Sequence, residues 1–196
     1  MTGLVDRLRL AAKRFAYNGI GRDRWQEPDA IVTALGLRDG HRVADLGSGT
    51  GYFTQRLARA VTPGGVVFAV DTDRQLLDEV ERVASRAGLA NVVAVPAGND
   101  GVTLPEPVDL VFISHVYHHL PDPSAYLARL GTSLRPGGRV AILEGRATNR
   151  LTRWFGHVTE PDVVRREMAA AGYRLAEELP SRPRESFQVF ELVPPA

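Results

Sequence analysis

The stretch Arg42-Val43-Ala44-Asp45-Leu46-Gly47-Ser48-Gly49-Thr50-Gly51-Tyr52-Phe53 constrains the fold more than any other. A hydrophobic run ends in an acid, glycines follow at alternate positions, and an apolar-spaced segment comes next. That order reads as a strand, a tight turn and a helix start, with the helix expected over Thr50–Ala60. Alternate glycines allow positive φ and let a ligand approach the backbone without a Cβ in the way. The helix start directs unpaired N–H groups and a positive dipole end at whatever binds there. A dinucleotide fingerprint needs G-x-G-x-x-G, and here the position of its last glycine is Tyr52. Asp45, just before the glycines, repels a pyrophosphate but suits an ammonium.

A second acid follows at the right distance. Val66-Val67-Phe68-Ala69-Val70 reads as the second strand, and Asp71 stands at its carboxyl end, 20 residues after Gly51. Carboxylates in that position accept hydrogen bonds from ribose hydroxyls. A ligand with an amino-acid end and a ribose describes S-adenosylmethionine.

Three further segments extend the pattern: Val108-Asp109-Leu110-Val111-Phe112-Ile113-Ser114, then His115-Val116-Tyr117-His118-His119-Leu120, then Leu134-Arg135-Pro136-Gly137-Gly138-Arg139 before a strand. Together with VADLGSGTGYF and Asp71 they resemble the class I S-adenosylmethionine-dependent methyltransferases. The likeness is to the small-molecule ("type 11") group that includes the ubiquinone/menaquinone-biosynthesis-like enzymes, and it runs from about Trp25 to the C-terminus. It implies an α/β, Rossmann-like three-layer sandwich. The sheet it implies is seven-stranded and mostly parallel, order 3-2-1-4-5-7-6, with a C-terminal antiparallel hairpin. It implies S-adenosyl-L-methionine as cofactor and S-adenosyl-L-homocysteine as product. Residues 1–27 become an N-terminal helix and lid segment, and residues 28–196 the cofactor-binding domain. The resemblance assigns the cofactor to Asp45, Gly47, Ser48, Gly49, Gly51 and Tyr52 in the first loop. Asp71 and Thr72 take the ribose, Asn99 or Asp100 the adenine amine, and Ser114 and His115 complete the site.

The rest of the chain is consistent with this and excludes other chemistries. At 196 residues it is one domain, large enough to bury about 70% of its unfolded surface. A formal charge of +1 offers no global attraction to nucleic acid. Lys13 is the only lysine, so nearly all positive charge is arginine. The absence of cysteine removes disulfides, thiolate catalysis and the arsenite-methylating branch, whose chemistry uses thiols. No run approaches the roughly 18 apolar residues of a membrane span, and no secretory h-region is present, so a cytoplasmic protein is expected.

Leu4, Leu8, Ala11, Ala12 and Phe15 have helical spacing, with Arg7, Arg9, Lys13 and Arg14 on the remaining face. This helix either packs on the domain or lids the site, and the resemblance adds Tyr17, Arg22 and Trp25 as candidates for covering the cofactor. Further helices are expected over Pro28–Leu35, Arg74–Ala87 and Asp122–Leu134, and another begins at a capping-box-like Thr159-Glu160-Pro161-Asp162. Remaining strands are expected at Val92–Val95, Asp109–Ser114, Arg139–Leu143, Tyr173–Glu178 and Ser186–Val193. Strands alternating with helices imply a parallel sheet with right-handed crossovers.

Methyl transfer from a sulfonium needs proximity, in-line alignment and, for some acceptors, a base. Base candidates follow the fourth strand: His115, Tyr117, His118 and His119, with His118 first. The alternative is that this run shapes the pocket. His115, His118, His119 and His157 also raise the thought of a metal, but no carboxylate has ligand-like spacing among them, and no metal is expected. Arg146, Arg150, Arg153, Trp154 and His157 follow the fifth strand, where relatives line the acceptor site. The expected partner is a small-molecule acceptor, with a homodimer possible. A catalytically silent scaffold of the same fold is the alternative from another class. A nicotinamide enzyme is disfavoured by Tyr52, and a macromolecule-modifying enzyme by the lack of an appended domain.

Overall fold

Apolar runs and helical periods alternate along the chain and fold into one layered sheet. The computed structural model describes residues 22–98, 101–147 and 158–194. The expected helix over residues 3–16, Tyr17, Asn99, Asp100, Arg150, Arg153, Trp154 and His157 lie outside the described residues, as does the Trp25 side chain. The strands are β1 (Arg42–Leu46), β2 (Val66–Asp71), β3 (Val92–Pro96), β4 (Val108–Ser114), β5 (Leu134–Gly145), β6 (Tyr173–Glu178) and β7 (Glu185–Leu192). They form a seven-stranded sheet of order β3-β2-β1-β4-β5-β7-β6. Pairings from β3 through β5 are parallel, and β7 runs antiparallel to both β5 and β6. The expected order and hairpin are those observed.

Strand periodicity sorts the apolar residues between two cores. Ala44, Leu46, Val111, Ile113, Val140 and Ile142 face one side, under α5 (Pro123–Leu130) and α6 (Pro161–Ala170). Val43, Leu110, Phe112, Ala141 and Leu143 face the other, under α2 (Pro28–Ala34) and α3 (Thr54–Ala60). On that second side Phe53, Phe112 and Phe187 stack edge to face, with ring centroids 5.1 and 6.3 Å apart. Such pairs contribute about 0.5–1.5 kcal/mol each beyond their buried area.

Several boundaries differ from the sequence expectation. The helix after the first loop starts at Thr54, not Thr50, because Gly47, Gly49 and Gly51 all take positive φ and keep the chain out of helical geometry. Helix α4 (Arg74–Arg86) has the N-cap Asp73, whose carboxylate accepts from the Gln75 N–H at 2.9 Å, and it ends one residue early with Ala87 exposed. The helix expected over Asp122–Leu134 stops at Leu130 and tightens into a 3-10 turn. Leu134 then pairs with Val108, so β5 is longer than the expected strand. At α6 the N-cap is Glu160 and makes no side-chain cap, so the capping box does not form. Among the described residues, no helix is long and apolar enough to cross a membrane.

Candidate functional site

A cavity of about 420 Å³ opens at the carboxyl ends of β1, β2 and β4, within the usual range of small-molecule pockets. The chain runs from β1 outwards through β2 to β3 and then crosses back to place β4 on the other side of β1, so the loops after β1 and β4 lead to opposite sides and part to leave a crevice.

One wall is acidic and backbone-rich. Asp45 shares a face with Val43, so its carboxylate points towards α3 and accepts a 2.6 Å hydrogen bond from the Thr54 hydroxyl. It is 3% exposed, and burial pushes its pKa up to about 7, against the pull of Thr54. Asp71 ends β2 and closes the loop from beneath: Gly49 N–H donates to one carboxylate oxygen and Asp73 N–H to the other, both at 2.9 Å. Each oxygen retains a further acceptor site. The N–H groups of Gly47 and Ser48 donate to the Val70 carbonyl at 2.8 and 2.9 Å, binding the loop to β2. Gly47 has φ +77°, and a Cβ there would lie 2.3 Å from Val116. The hydroxyls of Ser48 and Ser114 are buried and find no hydrogen-bond partner among the described residues.

Helix α1 (Arg22–Gln26) covers this wall. The Arg22 guanidinium stacks on the Tyr52 ring at 3.8 Å and lines the cavity. Burial pulls its pKa down. The Tyr52 hydroxyl donates to Asp23 at 2.7 Å, which holds its pKa up along with burial. Arg56 reaches both Asp23 and Asp29, at 3.1 and 3.0 Å.

The opposite wall gathers distant side chains. His115 follows β4 with φ +54°, a left-handed conformation uncommon for a residue with a side chain. Its N–H donates to the Leu143 carbonyl at 2.9 Å. Its Nε2 lies 3.2 Å from a Glu185 carboxylate oxygen and 3.1 Å from the Gln26 amide nitrogen. Its Nδ1 is 4.0 Å from Glu144. Glu144 is completely buried; it accepts from the Gly145 N–H at 2.8 Å and has both oxygens 3.2 Å from His118 Nδ1. No group of three or more acidic, histidine or cysteine side chains among the described residues is placed to hold a metal.

Most expected site residues meet at this cavity. Asp45, Gly47, Ser48, Gly49, Tyr52, Asp71, Thr72, Ser114, His115 and His119 all line it. Three expected residues do not. Gly51 lies off the lining, its would-be Cβ 3.3 Å from Val80, so its lack of a side chain serves loop-to-helix packing. Tyr117 is 1% exposed in the core, and its hydroxyl donates to Glu167 at 2.8 Å. His118 turns towards Glu144 and away from the cavity surface. Arg146 lines a separate polar cavity with Arg165 and Glu178.

Sequence reasoning missed Gln26 and Glu185. Gln26 carries no signal in its neighbourhood. Glu185 had one: it precedes an apolar alternating strand, and antiparallel pairing sets it opposite Gly145, beside Glu144.

Comparison with known proteins supports this picture. Residues 44–140 match the model of a family described as a methyltransferase domain. Over 115 residues the chain is 35% identical to the ubiquinone/menaquinone biosynthesis C-methyltransferase UbiE of Pasteurella multocida, covering 58% of this chain and 43% of that protein. The chain spans about a third to a half of the length of the curated relatives it matches. A SAM-dependent methyltransferase structure from Aquifex aeolicus superposes with a TM-score of 0.79 at 22% identity, covering 88% of this chain and 93% of that one. A second, from Thiobacillus denitrificans in complex with S-adenosyl-L-homocysteine, gives 0.62 at 24% identity, covering 78% and 65%.

Proposed function

We propose that this chain, which matches a methyltransferase-domain family over residues 44–140 and has the fold of S-adenosylmethionine-dependent methyltransferases, transfers a methyl group from S-adenosyl-L-methionine to a small organic acceptor by in-line displacement. The observation that carries this is the pairing of Asp45 and Asp71 at adjacent strand ends on one cavity. One is buried and in reach of an ammonium; the other has acceptor capacity for ribose hydroxyls. The buried, unpartnered hydroxyls of Ser48 and Ser114 support the fit, because buried polar atoms normally have partners and a polar ligand would supply them.

Bound there, the cofactor supplies a methyl group already activated on a sulfonium. What remains for the protein is to bind, align and exclude water. Asp45 holds the ammonium, Asp71 and Thr72 the ribose, and the open backbone at Gly47 and Gly49 admits the ligand closely. Tyr52 and Arg22 cover it, and Asn99 or Asp100 receives the adenine. His115 and His119, the imidazoles after β4 that line the cavity, stand on the acceptor side, where a proton is removed. The proposal sets this chemistry in the cytoplasm and takes residues 1–27 as a covering segment on a domain running from 28 to 196. It takes the chain to pair as a homodimer, which sedimentation checks.

Calorimetric titration with S-adenosylmethionine, S-adenosylhomocysteine and NADH tests the cofactor. Micromolar binding of the first two and none of NADH is expected. Binding of none of them overturns the proposal and favours a silent scaffold of the same fold.

A further inference from the structure

Glu185 is the least satisfied charge at this end of the sheet. It opens β7 on the face that carries Phe187 and Val189, and Ser114 ends β4 on the same face, above Phe112. Antiparallel pairing sets it opposite Gly145, so its carboxylate stands at the carboxyl ends of β4 and β5. It is 6% exposed. Among the described residues its one ion-pair neighbour is His115, whose Nε2 lies 3.2 Å away.

That neighbour supplies no hydrogen. Gln26 is 1% exposed, and its amide oxygen accepts from the Arg22 Nε, which fixes the end of the amide that faces His115. The amide nitrogen is 3.1 Å from Nε2 and can only donate. Nε2 is therefore the acceptor, the ring is neutral, and its proton sits on Nδ1. Glu185 faces a lone pair. Arg22 is committed to Gln26 and the Tyr52 ring, Arg182 to Glu27, and His118 to Glu144. Glu144 on the next strand is buried too, but it has His118 and the Gly145 N–H. An ionised carboxylate buried without a donor is costly, and native chains keep such violations at functional sites.

We propose that Glu185 anchors a positively charged nitrogen of the methyl acceptor, so that the acceptors are small molecules carrying an ammonium or amidinium group. This rests on the cofactor reading above. Glu185 touches His115, which lines the cavity, and the 7% of its side chain left open is where a donor reaches it. Three strand spacings, about 14 Å, separate it from Asp45, so the cofactor's ammonium does not serve both acids. Glu144 adds to the negative field on this wall. A nitrogen held as an ammonium has no lone pair, so the attacking atom is another one on the same molecule.

The test uses the full chain and three probes that share a phenol ring: tyramine, 4-ethylphenol and 3-(4-hydroxyphenyl)propionate. Binding of S-adenosylhomocysteine and S-adenosylmethionine is measured on every sample, so failure of the cofactor reading shows separately as a wild-type chain that binds neither. Wild type is expected to prefer tyramine to 4-ethylphenol by about 10–100-fold in kcat/KM, the size of one charge-assisted hydrogen bond, with the propionate last. Glu185→Gln keeps the shape and removes the charge. It is expected to bring tyramine within about threefold of 4-ethylphenol, with both cofactor affinities changed less than about twofold. Its melting temperature is expected to equal or exceed that of wild type, because the lost charge had no donor. A fall of more than about 4 °C marks Glu185 as half of a structural ion pair and overturns the proposal. A variant that keeps S-adenosylhomocysteine but loses S-adenosylmethionine assigns the carboxylate to the sulfonium and overturns it too, as does equal use of tyramine and 4-ethylphenol by wild type. If no probe is methylated, calorimetry of the same three on the S-adenosylhomocysteine complex decides, and tyramine binding no tighter than 4-ethylphenol overturns the proposal.

Discussion

The two walls of the cavity are made in opposite ways. The cofactor wall comes from one strand–loop–strand segment, with Asp45, Gly47, Gly49 and Asp71 held by backbone hydrogen bonds inside that segment. The acceptor wall takes Gln26 from α1, His115 from the end of β4, Glu144 from β5 and Glu185 from β7. Local backbone geometry builds the first. Side-chain packing and charge pairing across the whole sheet build the second. A wall of the first kind is stiff and suits an invariant ligand, while one of the second kind changes with any one of its contributors and suits a varied acceptor.

Substitutions can break this contrast, beginning where the two walls touch. Gly47→Ala places a methyl 2.3 Å from Val116 at a φ of +77°. We expect it to lower stability by about 2–4 kcal/mol, read from the denaturant midpoint. Adding Val116→Ala should recover the steric share but not the conformational share. Full recovery would mean that the backbone conformation costs nothing there.

Asp71→Ala removes acceptors from two loop N–H groups as well as from the ribose. Cofactor affinity should fall by about 1.5–3 kcal/mol in calorimetry. Unchanged affinity would show that the loop, and not the carboxylate, binds the ligand.

Asp45 adds a pH test. Its pKa is pushed up to about 7 by burial, so below that pH the carboxyl is largely neutral and cannot pair with an ammonium. Affinity for S-adenosylmethionine should rise about tenfold between pH 6 and pH 8, and Asp45→Asn should flatten that rise. The sign reverses for the unliganded protein. A raised carboxyl pKa means that the folded state binds more protons than the unfolded one between about 4 and 7, so this group's contribution to stability is lost as pH rises through that window. Thermal melts of the free protein across it should fall with pH, and those of Asp45→Asn should not.

Tyr117→Phe is the mildest change and tests the boundary of the acceptor wall. It deletes the hydrogen bond to Glu167 and should cost about 1 kcal/mol of stability. Methyl-transfer rate and cofactor affinity should stay at wild-type values. A large loss of rate would return Tyr117 to the reacting groups.

The cofactor wall was legible because its information is local. An acid, alternate glycines and a second acid at a strand end are consecutive in the chain, and the chemistry of each residue type points to one part of the ligand. Even there, one assignment depended on packing: Gly51 matches the motif, yet faces Val80. The run from His115 to His119 was legible as a cluster but not as an arrangement. Nothing in its spacing says that Tyr117 enters the core, that His118 turns to Glu144, or that His115 adopts a left-handed conformation and stays in the cavity.

Sheet order and the β6–β7 hairpin are expected from the family resemblance alone; the sequence by itself determined the alternation of strands and helices that makes a parallel core, the glycine loop, and the two acids that suit an amino-acid end and a ribose. Hydrophobic period and turn chemistry act over a few residues, and these features need no more than that. Tertiary structure alone decided which histidines meet the cavity and which carboxylates stand behind His115. Gln26 and Glu185 are distant in sequence and meet His115 only because β7 inserts between β5 and β6 and α1 lies across the strand ends. Such contacts depend on sheet order and register, which no local pattern encodes.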